Sequence, residues 1–214
     1  MTISRSKSKK SSAYTLVELL VVIGVLLIGF SFIYIGTGAG DGAKLSSAQR
    51  TLSGLVKSAR AQAILKNKEV RLIIHNNPAD IEKYRRYVGI VYLGTDSSDA
   101  TGWIAATQGT YLPKGIYYNA AASDAATADA IWDVPTMNIN YPRRTVQTLG
   151  DEYIYYEFNK NGASANPNAY LVFQAGVVEP GSGLSFPAAK SEIKSGLIIR
   201  RGGNATFVDD PAQL

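Results

Sequence analysis

YTLVELLVVIGVLLIGFSFIYI, residues 14–35, is an apolar run of 22 residues that holds a single charge, Glu18. As a helix it would measure roughly 33 Å at the usual rise of about 1.5 Å per residue. A bilayer core takes about 20 apolar residues, so the run is long enough to cross one. Upstream, residues 1–13 (MTISRSKSKKSSA) are Ser-rich and carry Arg5, Lys7, Lys9 and Lys10. Positive charge ahead of a span keeps that side cytoplasmic, so the bulk of the chain is expected beyond the membrane. Glu18 is out of place in hydrocarbon, where a carboxylate costs a few kcal/mol. A cationic partner, a position within reach of the headgroups, or protonation would each resolve the conflict.

The chain has 214 residues, enough for one well-buried core with an appendage. Its net charge of +5 is concentrated at the start: without the four basic residues of 1–13, 18 cations face 17 anions. The positive balance therefore describes a tail and does not advertise a nucleic-acid-binding domain. There are no cysteines, which excludes disulfides, thiolate metal sites and thiol nucleophiles.

Ala13-Tyr14-Thr15-Leu16-Val17-Glu18-Leu19-Leu20-Val21-Val22 resembles the processing site of type IV prepilins and type II secretion pseudopilins. The resemblance implies a prepilin peptidase that cuts between Ala13 and Tyr14 and methylates the new amine. Ala13 stands where that family usually has Gly. Glu18 then becomes the fifth mature residue, whose family role is to pair with the N-terminal amine of a neighbouring subunit. That role resolves the physical conflict. An ammonium and a carboxylate about 4 Å apart attract by roughly 4 kcal/mol at an effective dielectric near 20. The competing reading is a secretory signal peptide with Gly38-Ala39-Gly40 as its cleavage site. Its apolar region should run about 7 to 15 residues, whereas residues 19–35 give 17 without a charge.

Downstream, Gly36, Gly38, Gly40 and Gly42 fall within GTGAGDG, residues 36–42. Each glycine weakens a helix by about 1 kcal/mol relative to Ala, so a joint is expected here. The spacing Gly38-x-Gly40-x-x-Ala43 matches a dinucleotide fingerprint, but it follows an apolar span where the fingerprint needs a strand. Leu45, Ala48, Leu52, Leu55, Val56, Ala59 and Ala63 then recur at three- and four-residue steps and predict an amphipathic helix over about 43–67. Lys44, Arg50, Lys57, Arg60 and Lys66 lie mostly off that stripe, as a solvated face or a DNA or headgroup surface.

Strands are expected at 69–75, 87–93, 103–107, 116–118, 153–158, 170–174, 197–201 and 205–208, with Gly202-Gly203 turning the last hairpin. The Ala-, Asp- and Thr-rich stretch 119–150 reads as a long surface insertion. The segments SAQRTLSGLVKSARAQAILKNKEVRLII (47–74), Leu112-Pro113-Lys114-Gly115-Ile116, Phe158-x-x-x-Gly162 and IIRRGGNAT (198–206) are similar to the GspH/FimT pseudopilin family. The fold this implies is α+β: a long N-terminal membrane-spanning assembly helix, then a helix packed on a β-sandwich-like head of two small antiparallel sheets. The divisions are 1–13 leader, 14–40 span and joint, and 41–214 head.

Chemistry is sparse. His75 is the only histidine, so no His-based triad or multi-histidine metal centre can be assembled. Asp96/Asp99, Asp151/Glu152 and Asp209/Asp210 could offer oxygens to calcium, but without EF-hand spacing they read as loop acids. Tyr84, Arg85, Arg86 and Tyr87 mix stacking and phosphate-pairing side chains, and packing accounts for them equally well. No cofactor and no enzymatic activity is expected. The resemblance implies as partners other pilin or pseudopilin subunits, the peptidase and the inner membrane. The single-pass chain would hold its head in the periplasm or on an extracellular filament, in a structural role. A head that engages DNA or a surface is the alternative. Mass spectrometry of protein from the cell envelope should find the N-terminus at Tyr14, methylated. A start at Gly40 or Asp41 would establish the signal-peptide reading instead.

Overall fold

Leu52, Val56, Ala48, Ala59 and Ala63 are wholly withdrawn from solvent on α1 (Asp41–Lys66), and Leu45 and Leu55 flank them, half-buried. The computed structural model to which this helix belongs describes residues 16–17, 19–23, 40–126, 135–146, 149–179 and 183–208. It divides at Gly40, with residues 1–39 as one unit and 40–214 as the other. In the first unit, Leu16, Val17 and residues 19–23 are helical. In the second, α1 ends where Asn67 takes the left-handed conformation (φ 51°) and closes the last turn onto the Ile64 and Ala63 carbonyls.

Strands follow in the order β1 (Val70–His75), β2 (Tyr87–Thr95), β3 (Thr101–Ala105), β4 (Thr110–Tyr111) and β5 (Ile116–Tyr118). A short helix α2 (Ala120–Ala126) precedes β6 (Thr136–Ile139), β7 (Asp151–Phe158), β8 (Ala169–Ala175), β9 (Val177–Glu179) and β10 (Gly183–Ser185). A 3-10 turn (Ala188–Lys190), β11 (Lys194–Ile199) and β12 (Ala205–Val208) complete the described chain. All pairings are antiparallel. The first sheet runs β3-β2-β1-β7-β6 with β4 added beside β2, the second β12-β11-β8-β5, and β9-β10 form a separate ribbon.

The head holds the two antiparallel sheets expected, with a ribbon in addition, and α1 packs against both sheets. Small residues on the stripe make this possible, since alanine lets a helix approach closely on two sides. The core lies among Leu72, Ile74, Val88 and Ile90 of the first sheet, Leu171, Phe173, Leu197 and Ile199 of the second, and the α1 stripe. Tyr118 on β5 and Tyr156 on β7 join the two sheets inside it. Their hydroxyls stand 2.9 Å apart, and Tyr156 donates to the Tyr170 carbonyl at 2.8 Å, which leaves Tyr118 to donate to Tyr156. Buried hydroxyls need such partners, since an unpaired one costs about 1–3 kcal/mol.

The stretch 119–150, expected as a surface insertion, is partly structural. Asn119 and Ser123 are buried: Asn119 donates to Gln174 Oε1 at 2.8 Å, and Ser123 Oγ accepts from the Val172 amide at 2.9 Å. β6 extends the first sheet, and Ile139 and Tyr141 cover its outer face with Ile73, Val91 and Tyr153. Tyr141 lies flat enough on β2 that a Cβ at Gly89 would collide with its ring, and its hydroxyl meets Thr107 at 2.8–2.9 Å. Few residues make these contacts, so the polar composition around them hid them. The same face holds Arg71, whose guanidinium lies 4.0 Å from the Trp103 ring centre and 3.8 Å from that of Tyr155. It is paired to Glu157 at 2.7 Å.

Gly202-Gly203 makes the expected hairpin. Gly203 has φ +75°, and its amide donates to Arg200 while Arg200 donates to Asn204.

Burial raises the pKa of the core phenols: Tyr118, Tyr156 and Tyr153 are pushed up, and Tyr141 to about 12. Their folded values exceed the unfolded one, near 10 for tyrosine. Their contribution to stability is therefore complete below pH about 10 and declines as pH rises through the raised values. In an alkaline titration, loss of tertiary structure should accompany the late part of tyrosinate absorbance. Complete ionisation near pH 10 with the fold intact would contradict this core.

Candidate assembly site

Leu16, Val17 and residues 19–23 are all exposed, from 80% at Leu16 to 49% at Ile23. A soluble monomer rarely leaves so much contiguous apolar surface to water, and such patches mark membrane or protein contacts. Among the described residues no helix is long and apolar enough to cross a membrane. Ala13, Tyr14 and Glu18, expected as processing and pairing residues, and Gly36 and Gly38, expected in a joint, lie outside the described residues. So do Asp209 and Asp210. Gly40 is the N-cap of α1, and Gly42 falls in its first turn.

The entry to the head rests on a residue that the sequence reading missed. Asp41, at the first position of α1, is buried. Its carboxylate accepts from Lys190 Nζ at 2.8 Å and from Lys44 Nζ at 3.1 Å. The Lys190 hydrogen bond holds the Asp41 carboxyl below its ordinary value against the opposing effect of burial. An anion at a helix N-terminus is also favoured by the helix dipole. An acid just after a glycine run is a visible helix-start signal. Its partner 149 positions away is not.

The other candidates are structural. His75 is fully buried, its ring edge-on to Tyr153 at 5.1 Å, and burial lowers its pKa. The Asp151 carboxylate stands 3.4 Å from His75 Nε2. Asp151 and Glu152 accept from Asn77 and Asn76. Asp96 ties its own loop by accepting from the Ser98, Ala100 and Val146 amides. Among the described residues no acidic or histidine cluster could hold a metal ion. In the Tyr84–Tyr87 cluster, Tyr87 is buried beneath Tyr111 and Tyr141, which withdraws it from any base. Of the basic residues on α1, Arg50 and Lys57 are exposed, Lys66 lies over the Tyr92 ring, and Arg60 donates to Asn204.

Residues 8–34 match the family model of the prokaryotic N-terminal methylation motif. The chain carries a prepilin-type N-terminal motif. No curated protein sequence matches the chain. Among solved structures, the type IV minor pilin FimU of Pseudomonas aeruginosa is similar over 79% of this chain and 91% of its own, at 12% identity and a TM-score of 0.40. The minor pseudopilin EpsH from the type II secretion system of Vibrio cholerae is similar over 78% of this chain and 93% of its own, at 13% identity and a TM-score of 0.39.

Because the Asp41 carboxyl is held low, its contribution is present above the unfolded value near 4 and is lost as pH falls through the folded one. Asp41→Asn should cost about 1–3 kcal/mol of head stability at neutral pH, measured by denaturant unfolding. The difference from the unsubstituted protein should shrink as pH falls below about 4, toward the lower value at which the folded Asp41 takes up a proton. An undiminished difference there would show that the charge is not what matters.

Proposed function

We propose that this chain is a minor pilin or pseudopilin: a non-enzymatic subunit of an inner-membrane-rooted filament of the type IV pilus or type II secretion kind. The observation that carries this reading is the methylation motif over residues 8–34. The basic leader, the apolar run and the exposed apolar helical segment within it support it. On this reading a prepilin peptidase removes residues 1–13 and methylates the amine of Tyr14. The apolar run then anchors the subunit in the inner membrane, with the head in the periplasm or on an extracellular filament. The gain from cleavage is physical as well as enzymatic. It replaces a charged tail by one ammonium at the edge of the apolar helix, where a neighbour's Glu18 can meet it.

That pairing sets the register between subunits, because an unmatched buried charge carries its full desolvation cost. A head that binds DNA is the weaker alternative. Arg50 and Lys57 are exposed, but Tyr87 is buried. Glu18→Ala tests the reading. Removing one partner of a buried pair typically costs about 3–5 kcal/mol, whereas membrane insertion becomes easier without the carboxylate. The variant should be processed and membrane-resident yet absent from filaments, as read by crosslinking to neighbouring subunits. Wild-type incorporation would rule out Glu18 as the register contact.

A further inference from the structure

A groove of about 690 Å³ opens where the 76–86 loop, the β4–β5 connection and the start of β9 meet. Its walls carry Ile81, Tyr111 and Val177, large apolar side chains that are 50%, 45% and 37% exposed. Arg86 lies among them. Its guanidinium is 5.8 Å from the ring centres of both Tyr111 and Tyr117, and one terminal nitrogen donates to the Leu112 carbonyl at 3.1 Å. Its Nε is buried with no hydrogen-bond partner among the described residues. Arg71 makes a contrast: its guanidinium lies directly on two rings, at 4.0 and 3.8 Å, and its Nε is satisfied by Glu157 at 2.7 Å. Arg86 stands farther from its two rings and, among the described residues, pairs with no carboxylate.

We propose that this groove binds an extended peptide segment of a neighbouring protein subunit. A carboxylate of that segment accepts from Arg86, and apolar side chains beside it rest on Ile81, Tyr111 and Val177. Charge complementarity selects the occupant. Arg86 and Lys114 outnumber the one acid in the wall, Glu82, so the pocket favours a single anion. A nucleic acid would ask for more. Phosphate backbones are held by several cations along a track, whereas this wall offers two, Arg86 and Lys114. A planar guanidinium tethered at one nitrogen by the Leu112 carbonyl loses less freedom on binding, and its fork geometry prefers a carboxylate. The inference rests on the reading of this chain as a subunit that works by contact with other proteins, but its test does not pass through filament assembly.

The full chain in detergent micelles is titrated with a neutral-dye-labelled, end-blocked pentapeptide Gly-Val-Glu-Val-Gly, and with the same peptide carrying Gln for Glu. The Glu peptide should bind at least about tenfold more tightly, the loss expected for one charge-assisted hydrogen bond. Arg86→Gln should remove that preference, Lys114→Gln should reduce it, and Lys57→Gln on the exposed face of α1 should leave it unchanged. A photoreactive version of the Glu peptide should crosslink to the loops that carry Ile81, Tyr111 and Val177. Equal affinity for the two peptides, an unaltered preference in Arg86→Gln, or crosslinks elsewhere would overturn the proposal. So would Arg86-dependent binding of a DNA duplex in place of the peptide. If Arg86→Gln fails to fold, judged by thermal unfolding, Lys114→Gln and the crosslink map decide alone. Failure here with Glu18-dependent incorporation intact would sink the groove and leave the subunit reading standing.

Discussion

The head depends on one helix being thin enough on its buried side to touch two sheets at once. Three of the five fully buried positions on the α1 stripe are alanine, and the other two are Leu52 and Val56. Alanines permit close approach, while Leu52 and Val56 each contribute about 1.5–3 kcal/mol by leaving water. With larger residues along the stripe the sheets would be forced apart, and the Tyr118–Tyr156 contact across the core, 2.9 Å between hydroxyls, would open. The helix and the tyrosine pair thus support one another. Each fixes the separation that the other requires.

That arrangement also determines how the chain enters the head. α1 is held along its length by apolar contact and at its first residue by Asp41, which reaches Lys190 ahead of β11. The clamp is electrostatic because the position is a helix start, where backbone amides already favour an anion. Among the described residues, the head's unit begins at Gly40, and Asp41 is its first side-chain clamp.

The sequence disclosed those parts of the fold that follow a period. The three- and four-residue steps from Leu45 to Ala63 marked the α1 stripe, and the runs at 116–118 and 205–208 coincide with β5 and β12. What it hid was contact made by single residues in polar surroundings. Tyr141 covers the outer face of β2 from within a stretch that reads as a surface insertion, and Ser123 bonds the Val172 backbone from an alanine-rich turn. β4, β6, β9 and β10 are two to four residues long, too short for alternation to be read. Of the residues given a role in the proposed reading, Glu18 was legible as a charge inside an apolar run, and Ala13 and Tyr14 were legible through the resemblance to prepilin processing sites. Asp41 and Arg86 were not, since their meaning lies in partners, present or missing, that only the fold brings near.

Charge placement separates the chain's internal bonds from the groups it leaves unmatched. Asp41 with Lys190, Arg71 with Glu157 and Asp80 with Lys83 are each satisfied within the head at 2.6–2.8 Å. Such pairs hold elements together and add little to recognition. Arg86 differs because it stands beside two tyrosine rings and, among the described residues, no anion completes it. A protein that binds nothing at this place would lose little by a neutral residue there, since a buried unpaired donor is a standing cost of about 1–3 kcal/mol. Glu18 poses the same question in the apolar run, with the sign reversed. On the proposed reading the two are answered in the same way. A charge that is costly in the isolated subunit becomes favourable once a neighbour supplies its counterpart, which ties the penalty to the unassembled state.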